Sequence, residues 1–144
     1  MDAAVDLWTH DTPAGTPISY MLSIEGADSL IDDWHVECPY ALGLHAIGPA
    51  NFGPGIYAQG TDATGGIEAK GTELLKKMDR LGTILDATHL CDDSFRESMD
   101  VFQGKVLASH SSSRTLVSHN RPFNDEQLPE LICRGALIGA CPNA

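Results

Sequence analysis

Four side chains able to bind a metal or move a proton fall at the ends of apolar runs. Glu25 closes ISYMLSIE, His45 closes ALGLH, His89 closes TILDATH and His110 closes VLASH. Short apolar runs bounded by turn residues read as buried strands. A carboxylate and imidazoles are the oxygen and nitrogen donors that zinc accepts at about 2.0–2.2 Å, and they must come from separate strands to surround an ion. The plainer alternative is that each histidine caps its strand and bonds locally. The pattern alone leaves both readings open.

Positioning such residues requires strands that run the same way and end together. The strands expected at 18–25, 41–45, 83–89, 106–110 and 136–140 alternate with helical patterns, the signature of βαβ units and a parallel sheet. A helix is expected over 72–81, with Leu74, Leu75, Met78 and Leu81 on one face and Gly82 beyond its end. A second, over 92–102, aligns Phe95, Met99 and Phe102, with Asp92 or Asp93 available as cap. A third starts at Asn124 with Gln127 in capping-box position, meets Pro129 early and ends at Gly135. The stretch 48–71, rich in Gly, Pro, Ala and Thr, shows neither period and is expected to be a long, functional βα loop. No linker or repeat divides the chain, so residues 1–144 read as one α/β domain, with 1–16 an irregular N-terminal segment.

Twenty acidic against nine basic residues give a formal charge of −11, which repels phosphate backbones and anionic membrane surfaces. Nucleic acid is therefore excluded as a partner, and no run reaches the ~18 apolar residues of a membrane span. The opening MDAAVDLWTHDTPAG lacks the order of a signal peptide, so a cytoplasmic location is expected. Cys38, Cys91, Cys133 and Cys141 form no C-x-x-C pair and are expected to be reduced and mostly buried.

From Leu81 to Ala140 the chain resembles the membrane (renal) dipeptidase family of zinc peptidases. Asp86-Ala87-Thr88-His89 is similar to that family's Asp-x-(Ser/Thr)-His motif, and Ser109-His110-Ser111-Ser112 to its Ser-His-Ser-Ser motif. Arg121-Pro122-Phe123-Asn124-Asp125 is similar to its Arg-Asn-x-x-Asp region, and Ile24-Glu25-Gly26-Ala27-Asp28 to its Glu-Gly segment. His89 and His110 are twenty-one positions apart, the interval of the family's pair of zinc-binding histidines. The resemblance implies a partial (β/α)8, TIM-type barrel of about five parallel strands with intervening helices. It also implies a site of two zinc ions in which Glu25 is the shared carboxylate and His89 and His110 complete the second ion. By the same resemblance Arg121 holds the terminal carboxylate of a dipeptide substrate, and His45 contacts its carbonyl and steadies the tetrahedral intermediate. The implied reaction is hydrolysis of a dipeptide bond by a metal-bound hydroxide.

The family's opening His-x-Asp pair, which ligates the first zinc, has no counterpart here. His10 and Asp11 are adjacent, so on a strand they would face opposite ways, and they are assigned no metal role. One zinc or none is the expectation for this chain, as a truncated form with an incomplete binuclear site. A partial barrel exposes two sheet edges, which a second copy or a complementing chain would close. The competing reading is a non-catalytic α/β interaction module descended from such an enzyme, and a third is a related hydrolase acting on a lactam or ester. His35 and His119 match no functional position and are expected to bond locally.

Overall fold

The computed structural model describes residues 20–141, with the side chains of Asp33 and Trp34 left aside. The expected irregular segment 1–16 and the His10-Asp11 pair lie outside the described residues. Five strands form one sheet in the order β1-β2-β3-β4-β5, every neighbouring pair parallel. They are β1 (Leu22–Glu25), β2 (Leu44–Gly48), β3 (Ile84–Asp86), β4 (Val106–Ser111) and β5 (Leu137–Ala140). The crossovers carry α1 (Asp33–Ala41), α2 (Ala69–Leu81), α3 (Asp92–Val101) and α4 (Gln127–Cys133). Sequential order with a helix in each crossover is the winding of a segment of a (β/α)8 barrel.

The three helices expected from periodicity are present. In α2, Leu74, Leu75 and Met78 are buried, and Gly82 ends the helix in the left-handed region at φ 72°, donating its N–H to Asp79 and Met78. The expected capping box is made: the Asn124 side chain accepts from the Gln127 N–H and the Gln127 side chain from the Asn124 N–H, both at 2.9 Å. In α3 the capping expectation is corrected. Cys91 occupies the cap position without a side-chain bond, and Asp92 and Asp93 sit in the first turn with arginine partners. The stretch 48–71 is a loop up to the start of α2, pinned by isolated bridges such as Gly60 to Leu90.

Helix α1 was not expected. Pro39 lies inside it and no apolar stripe runs along it, so it depends on Asp32, whose carboxylate caps the His35 N–H at 3.1 Å. Its presence corrects the second strand. The chain is helical through Ala41, turns at Gly43 with φ 103°, and becomes extended only at Leu44. His45 therefore lies near the start of β2, not at its C-terminal end.

One face of the sheet carries Ile47, Leu85, Val106 and Ala108, which pack with Leu75, Met78, Phe95, Met99, Phe102 and Leu131 into one buried core. Fully burying a side chain such as Leu75 contributes about 1.5–3 kcal/mol. The pairing register places Asp86, Leu107 and Leu137 in one row on the opposite face, where Leu137 is 75% exposed. Of the four cysteines, all free, only Cys91 is buried, which corrects the expectation that most would be.

A candidate metal centre at the strand ends

Glu25 is the last residue of β1, and Gly26, at φ 84°, turns the chain away from the sheet immediately after it. Its register partner on β2 is Gly48. The Glu25 side chain reaches past β2 toward the turn that follows β3. There its Oε1 lies 2.7 Å from Nε2 of His89. Strand β3 stops at Asp86, earlier than expected, and His89 stands in the turn that leads to α3. It is the only non-glycine among the described residues with positive φ, at 70°. That conformation costs an L-residue about 1–2 kcal/mol, and such strain persists where the surroundings hold it. Here the His89 carbonyl accepts from the Thr61 hydroxyl at 3.0 Å, and the neighbouring Cys91 N–H is bonded to Gln59.

His110 reaches the same point from β4. The register of β4 against β5 shifts between Ala108 and Ser111, an irregularity that surrounds His110 and re-aims its side chain. The Nε2 atoms of His89 and His110 face one another at 3.1 Å, with ring centroids 5.0 Å apart. Ligand atoms of Glu25, His89 and His110 all lie within 4.8 Å of one another. The gap between the nitrogens is shorter than twice the ~2.0–2.1 Å Zn–N bond. Both can therefore reach a single ion, and the carboxylate oxygen beside them completes a donor set of the kind zinc takes. Burial holds the His89 imidazolium back, lowering its pKa. Glu25 and Asp86 oppose that shift, while the charges of His110 and Arg121 reinforce it. A neutral imidazole is the form that binds metal.

Residues outside the expected set hold this arrangement. Asp86 is buried and accepts through Oδ1 the backbone N–H of Thr88 and of Ser109, both at 3.1 Å. One carboxylate thus ties the turn before His89 to the strand residue before His110. The Ser109 hydroxyl lies 2.8 Å from Nδ1 of His110, which leaves Nε2 free to face inward. Outer partners of this kind fix the ring orientation of metal-binding histidines. The signal for Asp86 was its place three residues before His89 in the DATH run.

The structure brings Glu25, His89 and His110 together and brings the charge of Arg121 close enough to act on His89. It does not bring His45. With β2 starting at Leu44, His45 is its second residue, at the point where the pairing with β1 is irregular, and its ring packs edge-on against Tyr40 with centroids 4.9 Å apart. The strand-end placement expected of His45 is thereby corrected, because α1 and the turn at Gly43 occupy the residues expected to form that strand. His35 is bonded to Asp32 at 2.7 Å, and His119 accepts the Arg121 N–H at 3.1 Å, both local contacts as expected.

The described residues contain no helix long and apolar enough to cross a membrane. The family model for membrane dipeptidases, peptidase family M19, matches residues 6–141. An uncharacterized protein of Acinetobacter calcoaceticus is 26% identical over 139 residues, covering 90% of this chain and 44% of its own. An uncharacterized dipeptidase of Schizosaccharomyces pombe is 34% identical over 73 residues, covering 51% of this chain and 18% of its own. A Rhodobacter sphaeroides metallo peptidase, solved with a phosphinate mimic of the dipeptide L-Ala-D-Ala, superposes with a TM-score of 0.75 at 23% identity. That match covers 83% of this chain and 37% of the solved one. The chain thus spans less than half the length of these relatives, and it belongs to the membrane dipeptidase family, peptidase family M19.

Proposed function

We propose that this chain carries the zinc-binding and carboxylate-gripping part of a metal-dependent dipeptidase. The observation that carries the reading is the convergence of Glu25, His89 and His110 from three different strand ends. Zinc held by these residues would supply a Lewis acid for the peptide carbonyl and a water acidified toward pKa ~7. The chain's own contribution is positional. Glu25 and the two imidazoles present their donors to one point, and Asp86 and Ser109 keep the histidines aimed there. Arg121 offers a planar guanidinium fork suited to the terminal carboxylate of a dipeptide. Gripping that carboxylate would limit substrates to those with a free C-terminus at a fixed distance from the metal.

The test is zinc content per purified chain by elemental analysis, compared with a chain carrying both His89→Ala and His110→Ala, together with a dipeptide hydrolysis assay. Zinc retained by the parent and lost by the double variant, with turnover, supports the reading. Zinc no higher than in the double variant, and no turnover, would reduce the chain to a non-catalytic relative.

A further inference from the structure

We infer that Arg114, locked to Asp92, is the positioning residue that sets where Arg121 stands. The inference rests on the reading of Arg121 as the carboxylate-binding residue. Arg114 meets Asp92, the first residue of α3, with two parallel bonds, Nη1 to Oδ2 and Nη2 to Oδ1, each 2.9 Å. The same guanidinium turns its remaining donors on the loop between β4 and α4. Its Nη2 donates to the Asn120 carbonyl at 3.0 Å and its Nε to the Pro122 carbonyl at 3.2 Å. These are the two carbonyls that flank Arg121 in the chain. A single planar group therefore holds the carbonyls of the residues on either side of Arg121, referenced to a helix that begins three residues after His89.

Neighbouring bonds close the frame. The Arg114 N–H donates to the Phe123 carbonyl at 2.8 Å, and the Gln127 side chain donates to Asp92 Oδ1 at 3.2 Å. Hydrogen bonds from Arg114 draw the Asp92 pKa below its ordinary value, against the weaker opposing effect of burial, so the pair is charged at neutral pH. The geometry uses four donor contacts of one guanidinium, two to a carboxylate and two to carbonyls. A lysine carries the same charge, but its compact ammonium cannot span all of these acceptors.

The experiment compares binding of a phosphinate dipeptide mimic bearing a free terminal carboxylate with that of its carboxamide twin, by calorimetry on the zinc-loaded full chain. The parent should prefer the acid, and Arg121→Ala should abolish the preference. Arg114→Lys should cut the preference about tenfold or more while the zinc content and the affinity for the carboxamide stay unchanged, since a misplaced contact loses binding steeply. Asp92→Asn, which frees the guanidinium without removing it, should move the preference the same way and serves should the lysine variant fold poorly. If Arg121→Ala abolishes the preference but Arg114→Lys and Asp92→Asn keep it in full, the clamp is overturned and the role of Arg121 stands. If the parent shows no preference, or Arg121→Ala retains it, the reading of Arg121 falls and this inference falls with it.

Discussion

Asp86 on β3 accepts the backbone N–H of Ser109 on β4 at 3.1 Å, and the same oxygen accepts the N–H of Thr88. His89 and His110 are the next residues after Thr88 and Ser109. The spacing of the two imidazoles is thus fixed through one buried carboxylate oxygen. Asp86→Ala should lower zinc affinity about 10–100-fold, the usual loss when an outer partner of a metal site is removed. It should also destabilise the metal-free chain by about 1–3 kcal/mol, because two N–H groups lose their acceptor. Asp86→Asn keeps an acceptor oxygen and should cost much less of both. Zinc titration and thermal melts of the two variants decide the matter, and equal losses in both would assign the role to charge instead of geometry.

The left-handed backbone of His89 makes the choice of replacement matter. Asparagine tolerates that region better than other non-glycine residues. His89→Asn should therefore give a metal-free chain about 1 kcal/mol more stable than His89→Val, although neither supplies the imidazole. Denaturant midpoints of the two variants, measured with chelator present, test this. A valine variant as stable as the asparagine one would mean that the turn relaxes freely and is not held by Thr61.

The strands and the parallel sheet were legible because short apolar runs alternate with helical periods, whereas the grouping of Glu25, His89 and His110 was legible through the resemblance of their motifs to the dipeptidase family. Helix α1 was not legible, since Pro39 and the absence of an apolar stripe hide a helix fixed by the Asp32 cap. That omission moved the expected start of β2 and with it the strand-end place assigned to His45. The role of Arg114 was hidden for another reason. It acts on the backbone carbonyls of Asn120 and Pro122, and such partners leave no trace in residue type or spacing.

Gly139 on β5 lies against the irregular stretch of β4 that carries His110. A methyl group there would fall inside the van der Waals envelope of the Ser109 carbonyl oxygen, a backbone atom that cannot swing aside. Gly139→Ala should destabilise the chain by about 1–3 kcal/mol, the range for overpacking. It should also weaken zinc binding, because the displaced backbone belongs to the residue that bonds His110 Nδ1. A control at Gly82, where a methyl group meets nothing but φ is 72°, should cost stability without touching zinc affinity. Gly139→Ala with full zinc affinity would uncouple the β4–β5 contact from the site.

The Asp92–Arg114 pair gives the chain an acid-side sensitivity whose sign is fixed. The folded-state pKa of Asp92 is lowered, chiefly by hydrogen bonds from Arg114. Above the unfolded value near 3.8 the carboxylate is ionised in both states, and the stabilisation from the pair is fully present. As pH falls below that value the unfolded chain takes up the proton first, so stability declines until the folded-state pKa is passed. Asp92→Asn should remove this component, giving a chain less stable than the parent at pH 7 and a shallower loss of stability between about pH 5 and pH 2. Denaturant unfolding at intervals across that range measures both slopes. Parallel curves for parent and variant would mean that solvent already screens the pair, and that what anchors the Arg121 loop is its backbone bonding to Ser112 and Arg114.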